Sequence, residues 1–125
     1  MSDWKEDLKE TVETSIDYSK YDLSVMIRQA EKKGACDEEL YELSKLGSIE
    51  EAMEHSHAPF WCFWYALIVM KSRWQEAEPF IMKSASWSFH YSMEVLKGRW
   101  QEAEHIIAKD FYWRQQYEQR FNCDI

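Results

Sequence analysis

The sequence predicts an all-α protein: a short solenoid of stacked helix pairs with an N-terminal helical cap. Three observations support this fold class. A block of residues recurs in the C-terminal half with a period of 26, apolar positions inside it are spaced four residues apart, and the chain holds only 3 Gly and 2 Pro. Scarce Gly and Pro disfavour turn-rich β architectures. Helical units that cannot bury their apolar faces alone must stack on one another.

The repeat is clearest in the hexapeptide Arg-Trp-Gln-Glu-Ala-Glu, which occupies residues 73–78 and again residues 99–104. The register continues on both sides of it. Aromatic and apolar residues recur one period apart in three series: Trp61, Trp87 and Trp113; Tyr65, Tyr91 and Tyr117; Val69, Val95 and Phe121. Within one unit these positions are spaced i, i+4 and i+8, so they lie along one face of a helix.

Weaker copies of the repeat lie upstream, in residues 48–52 and 33–38. Similarity weakens toward the N-terminus, as it does in a capping unit. We therefore interpret residues 1–125 as a single domain with two parts. Residues 1–57 form acidic N-terminal helices and degenerate repeats, and residues 58–125 form the aromatic helical repeats.

Capping residues indicate where the helices begin and end. Ser48 and Glu51 have the spacing of a capping box, and Pro59 fits the first turn of a helix. Left-handed C-caps are predicted at the three glycines, which follow helical runs: Gly34, Gly47 and Gly98. Helices are predicted near 3–20, 22–33, 37–46, 48–56, 59–71, 74–83, 86–97, 100–109 and 111–121.

The net charge of −8 is concentrated in the N-terminal half, because residues 1–57 carry 15 Asp/Glu and 7 Lys/Arg, whereas residues 58–125 carry 8 of each. This acidity argues against direct nucleic-acid binding, which needs Lys and Arg. It favours a basic protein partner, unless the charge serves only solubility. The predicted partner-binding acidic face consists of Asp37, Glu38, Glu39, Glu42, Glu50, Glu51 and Glu54.

Sequence features of targeted or membrane proteins are not found. The first residues lack a basic start and an apolar run, and the longest uncharged stretch, between Glu54 and Lys71, is too short to cross a bilayer. The three cysteines are widely spaced, which suits reduced thiols: Cys36, Cys62 and Cys123. We expect a cytoplasmic protein without membrane association.

Residues 91–110 resemble small helical-repeat proteins that are common in tailed-phage genomes, whose units read roughly Y-A-x-x-V-[IL]-K-G-R-[WF]-x-E-A-E-x-x-I-x-x-D-P. The resemblance covers residues 58–121 well and residues 22–57 poorly. It implies a helical solenoid of phage origin, acting in the cytoplasm of a bacterial host, and it implies no catalytic residues. The family turns at Asp-Pro, where this chain has Ser84-Ala85 and Asp110-Phe111.

The aromatic residues outside the repeat frame are too numerous for all of them to be buried. Trp and Tyr are enriched at binding hot spots. We expect Phe60, Trp64 and Phe89 to form an exposed patch that binds a partner. The aromatic residues inside the repeat frame are interpreted as core.

Ion pairs within each repeat unit are predicted from its charged positions. Exposed pairs contribute only about 0–1 kcal/mol each, so their repetition suggests that they set the angle between units. The predicted pairs join Arg73 with Glu76 and Glu78, and Arg99 with Glu102 and Glu104.

No signature of catalysis is found: a phosphate-binding loop, a dinucleotide fingerprint and a nucleophile elbow are all missing. Two Glu-x-x-His pairings, Glu54 with His57 and Glu102 with His105, are the pattern of bundle-type metal sites, but they do not align in the repeat frame. Cys62 lies in an aromatic segment and is interpreted as a buried hydrophobe. No catalytic residue, metal or cofactor is therefore predicted.

These observations favour a non-catalytic protein–protein interaction module. Its most specific form is a phage-encoded inhibitor of a host or defence protein, whose acidic face meets a basic partner. One alternative is a scaffold protein that self-associates into a homo-oligomer through its aromatic face. The other is a metal-dependent helical enzyme built on the two Glu-x-x-His pairings.

Overall fold

The computed structural model describes residues 16–125, which are helical and contain no β-strand. The predicted all-α class is confirmed. The helix predicted near 3–20 lies mostly outside the described residues, and its last part holds only a 3₁₀ turn, Tyr18–Lys20. The α-helices are α1 Leu23–Lys32, α2 Asp37–Ser44, α3 Ile49–Glu54, α4 Ala58–Trp64, α5 Glu78–Ile81, α6 Ala85–Tyr91, α7 Glu104–Ile107 and α8 Phe111–Phe121.

The long helix of each repeat unit widens before it ends. Helix α4 continues as a π-helix over Tyr65–Met70, and α6 continues as one over Ser92–Leu96. Each π-helix ends at a left-handed lysine, Lys71 with φ 55° and Lys97 with φ 57°. The next residue then donates its N–H to a carbonyl six positions earlier, so the widened turn is closed by the same bond in both units.

These lysines correct part of the capping prediction. The left-handed residue precedes Gly98, whose own φ is not positive, and Gly47 also lacks a positive φ. Gly34, with φ 95°, has the predicted conformation. The left-handed residue, Lys97, lies one position before the predicted Gly98 and directly follows a π-turn that periodicity alone does not reveal.

Each unit then enters its short helix in the same way. Trp74 and Trp100 have nearly the same non-helical backbone, with φ −120° and ψ 80° at Trp74 and φ −116° and ψ 84° at Trp100. The 3₁₀ turns Gln75–Ala77 and Gln101–Ala103 follow and lead into α5 and α7. The next long helices begin at side-chain caps. Ser84 Oγ accepts the N–H of Trp87 at 3.1 Å, and Asp110 Oδ1 accepts the N–H of Trp113 at 3.2 Å.

Successive long helices pack against each other, α4 against α6 and α6 against α8. The repeated tryptophans fill these contacts. Trp87 packs on Phe63 with 5.4 Å between ring centroids, and Trp113 packs on Phe89 at the same separation. One period further on, the position of Phe63 and Phe89 is taken by exposed Gln115. The aromatic series therefore stops at a polar residue in α8.

The short N-terminal stretch from residue 16 is attached to the first repeat unit. Ile16 is buried in the core, and the Tyr21 hydroxyl accepts a 3.0 Å hydrogen bond from Trp74 Nε1. The same hydroxyl donates to Glu76, which also binds Lys20 Nζ at 3.2 Å. The predicted pairing of Arg73 with Glu76 is therefore wrong, because the N-terminal stretch uses this carboxylate.

Within residues 16–125, no helix has both the length and the apolar character needed to cross a membrane.

Candidate functional site

Helix α2 directs carboxylates and one tyrosine to solvent. Three acidic residues in its first turn favour helix formation beside the positive end of the helix dipole. Asp37 and Glu38 are exposed, and Tyr41 is 64% exposed one turn further along. Lys45 Nζ lies 4.5 Å from the centroid of the Tyr41 ring. We call Asp37, Glu38 and Tyr41 the α2 face.

Helix α3 is short and strongly amphipathic. Ser48 Oγ accepts the N–H of Glu51 at 3.2 Å, so the predicted N-cap is confirmed. Ile49 and Met53 are buried in the core, while the acidic positions between and after them are exposed: Glu50, Glu51 and Glu54. The charges of Glu50 and Glu54 raise the pKa of Tyr18, after the larger effect of its burial. Glu50 lines one groove together with Tyr18 of the N-terminal stretch.

Two residues of the predicted acidic face, Glu39 and Glu42, instead contact side chains at or just before the start of α4. Glu39 Oε1 lies 3.0 Å from His57 Nδ1 and accepts a 2.5 Å hydrogen bond from Trp61 Nε1. Glu42 Oε1 lies 3.6 Å from His55 Nε2. The pKa of Glu42 is below its ordinary value, chiefly because Lys45 donates a hydrogen bond to it.

The rings of His55 and His57 also pack on each other and on Trp61. The rings of His55 and His57 are 4.9 Å apart, and His55 lies 4.6 Å from Trp61. The seven predicted carboxylates are thus divided. Glu39 and Glu42 make internal contacts, whereas the other five are exposed and form no ion pair within 4.0 Å among residues 16–125.

The predicted aromatic patch is wrong in one residue. Phe89 is buried, 6% exposed, because Trp113 of α8 packs on its ring. Phe60 is half-buried against Trp87, with ring centroids 4.8 Å apart, and Trp64 is also half-buried. These three side chains therefore do not form an exposed patch.

Within residues 16–125, the most exposed aromatic side chains are elsewhere. Besides Tyr41, they are Phe111, 74% exposed, and Tyr112, 57% exposed, at the start of α8. A sequence signal for this pair exists, because the preceding unit has the small residues Ala85 and Ser86 at these two positions. Large aromatic residues thus replace small ones at the start of the last helix.

A cavity of about 250 Å³ lies where α1, α2, α3 and α4 meet. Most of its wall is apolar, with Met26, Leu43 and Trp64 as examples. Glu39 is the one acidic side chain on this wall within residues 16–125. Periodicity did not predict this cavity, because it forms between the repeat and the degenerate N-terminal helices.

The proposed metal-binding pairings are not assembled. Among the described residues, no three His, Cys, Asp or Glu side chains are close enough to hold a metal ion. His57 contacts Glu39 rather than Glu54. Cys62 is buried, as predicted, and burial raises the pKa of its thiol to about 12, whereas a nucleophilic cysteine needs a lowered pKa.

Comparisons with known proteins found no matching family model, no similar curated protein and no similar solved structure. The resemblance to phage helical-repeat proteins therefore stays an expectation from the sequence.

Proposed function

We propose that this protein is a non-catalytic binding module that recognises a basic protein through the α2 face. The observation that carries this proposal is the position of Tyr41, which is 64% exposed and flanked by exposed Asp37 and Glu38. Within residues 16–125, this tyrosine is outside the core, and its ring contacts the side chain of Lys45. Tyrosine is one of the residues that most often contribute binding energy at interfaces.

The chemistry of the α2 face suits an arginine-rich or lysine-rich partner. A guanidinium group stacks on an aromatic ring and binds a carboxylate through two parallel hydrogen bonds. Tyr41 offers the ring, and Asp37 and Glu38 offer the carboxylates beside it. Lys45 Nζ lies 4.5 Å from the centroid of the Tyr41 ring, so a partner's cation would stack on the opposite ring face or displace Lys45.

Internal contacts prepare the α2 face for binding. The Glu39 and Glu42 contacts with His57 and His55 fix one side of α2 against the start of α4. A helix held in place loses less conformational entropy when a partner binds. In its most specific form, the proposal is a phage-encoded inhibitor that covers a basic surface of a host or defence protein.

Affinity capture from bacterial lysate tests this proposal when two tyrosine variants are compared. The baits are the wild type, Tyr41→Ala, and the matched control Tyr112→Ala, which removes another exposed tyrosine. We expect a basic protein to be captured by the wild type and by Tyr112→Ala but lost from Tyr41→Ala. Equal capture by all three baits would reject the α2 face as the binding surface.

A second candidate is self-association through the start of α8, favoured by the exposure of Phe111 and Tyr112 side by side. Sedimentation velocity of the wild type and of a Phe111→Ser/Tyr112→Ser variant tests it. A wild-type oligomer that the double variant dissociates supports this scaffold role. A wild type that stays monomeric at high concentration rejects it.

A further inference from the structure

The cavity between α1, α2, α3 and α4 is partly open to solvent and is large compared with the voids of protein interiors. Interiors are packed about as densely as organic crystals, and few voids exceed the size of a water molecule. An apolar cavity of about 150 Å³ already binds benzene, and this one measures about 250 Å³. Its size therefore matches a small organic molecule with one or two rings.

The walls of the cavity specify the chemistry of that molecule. Ala30 of α1, Ala52 of α3 and the aromatic side chains of α4 supply apolar surface. Glu39 supplies one carboxylate, and both of its internal hydrogen bonds use Oε1. Its other oxygen, Oε2, has no hydrogen bond to any side chain or backbone group of residues 16–125. Apolar walls with a single well-placed polar group are typical of small-molecule sites.

We propose that this cavity binds an aromatic or aliphatic amine whose apolar part fills the space between the helices and whose ammonium group meets Glu39. A carboxylate ligand is disfavoured by repulsion from Glu39. The site contains none of Asp37, Glu38 and Tyr41, so it does not depend on the function proposed for the α2 face.

Calorimetric titration with a matched pair of probes tests the site. Phenethylamine and phenylacetate have the same phenyl ring and carry opposite charges. We expect the full-length protein to bind phenethylamine at least about tenfold more tightly than phenylacetate, since a charge-assisted hydrogen bond is worth 1.4 kcal/mol or more. The amine should also quench tryptophan fluorescence, because Trp61, Trp64 and Trp74 line the cavity.

Variants test where the ligand binds and whether Glu39 causes the preference for the amine. Glu39→Gln keeps an acceptor for Trp61 but removes the charge, so it should bring the two probes to similar affinity. Glu102→Gln, which changes an exposed carboxylate outside the cavity, is the matched control and should keep the preference. Ala30→Leu and Ala52→Leu fill the cavity from two different helices, and each should abolish binding in a folded protein.

Three results would overturn the proposal. One is the failure of both probes to bind the wild type at millimolar concentration. The second is unchanged phenethylamine binding by either folded leucine variant, which would place the ligand elsewhere. The third is equal affinity of the wild type for the two probes, which would remove the role of Glu39.

Discussion

The hydroxyl group of Tyr91 donates a 2.7 Å hydrogen bond to Glu78 across the boundary between two repeat units. It also accepts the backbone N–H of Trp74 at 2.8 Å. Arg73 binds the same carboxylate through two nitrogen atoms, at 2.7 and 3.0 Å. The arrangement recurs 26 residues later with the same tyrosine distances, and its members are Tyr117, Glu104, Trp100 and Arg99.

This relationship explains why the charged positions repeat. Glu78 is 7% exposed, and burial of a carboxylate is unfavourable unless it is paired and hydrogen-bonded. Arg73 supplies the pairing from its own unit, and Tyr91 supplies a hydrogen bond from the next. The predicted ion pair within the unit is confirmed, and it also orients the carboxylate that contacts the following helix.

Removal of the Tyr91 hydroxyl should therefore destabilise the fold strongly. In Tyr91→Phe, the buried N–H of Trp74 and one Glu78 oxygen both lose a partner. We expect the free energy of unfolding, measured by urea denaturation, to fall by about 2–3 kcal/mol. Tyr112→Phe, at an exposed tyrosine, is the control and should change it little. Equal effects of the two variants would show that the Tyr91 hydroxyl does not link the units.

Acid should release the N-terminal stretch. The pKa of Glu76 lies below its ordinary value, chiefly because Tyr21 donates a hydrogen bond to its carboxylate. A lowered folded-state pKa contributes stability above the unfolded pKa, near 4.5, and this contribution is lost as pH falls through the folded pKa. The stability of the wild type should therefore decrease below pH 4.5. Glu76→Gln, which lacks this titrating carboxylate, should show a smaller decrease.

Glu102→Gln is the matched control for this effect, because Glu102 occupies the same repeat position as Glu76 but is exposed. Its melting temperature should follow that of the wild type at every pH. Parallel pH profiles of Glu76→Gln and the wild type would contradict the role assigned to Glu76.

Trp74 and Trp100, which occupy the same repeat position before a short helix, should lose different amounts of stability when each is replaced by Phe. Trp74 and Trp100 are both buried, but Trp74 Nε1 donates to Tyr21, whereas Trp100 Nε1 has no hydrogen-bond partner in the described part of the chain. Trp74→Phe should cost about 1 kcal/mol more than Trp100→Phe in urea denaturation, because only the former loses a hydrogen bond. A larger loss for Trp100→Phe would contradict this difference.

The three thiols should react in order of their exposure. Cys36 is exposed, Cys123 is half-buried and Cys62 is 2% exposed. A colorimetric disulfide reagent at pH 8 should modify Cys36 first, and Cys62 only after addition of denaturant, because burial raises the pKa of Cys62 to about 12. Mass spectrometry of the digested protein identifies the modified site. Early labelling of Cys62 would contradict its burial.

Features that follow from local spacing were predicted well. The limits of α8, Phe111–Phe121, agree with the predicted helix at 111–121, because an aspartate cap and a sustained helical pattern mark them. The ion pair between Arg99 and Glu104 could also be predicted from the sequence, because both positions recur with the repeat.

Features that depend on contacts between distant segments were not predicted. Glu39 looked like a surface charge because its partners, His57 and Trp61, are separated from it by 18 and 22 residues. Phe89 looked exposed because Trp113, which covers it, lies on another helix. The π-turns before Lys71 and Lys97 add a residue that a pattern of i, i+4 and i+8 does not reveal.

Charge on the α2 face is tested most directly by the salt dependence of partner binding. The measurement is the Kd of the captured partner at low and high NaCl for the wild type, for Asp37→Asn/Glu38→Gln, and for a control pair of exposed carboxylates, Glu94→Gln/Asp124→Asn. Exposed charges are screened within about 8 Å at physiological ionic strength. The proposed function predicts a Kd that rises steeply with salt for the wild type and the control, and a weak, nearly salt-independent Kd for the α2 variant. Identical salt profiles for all three proteins would contradict it.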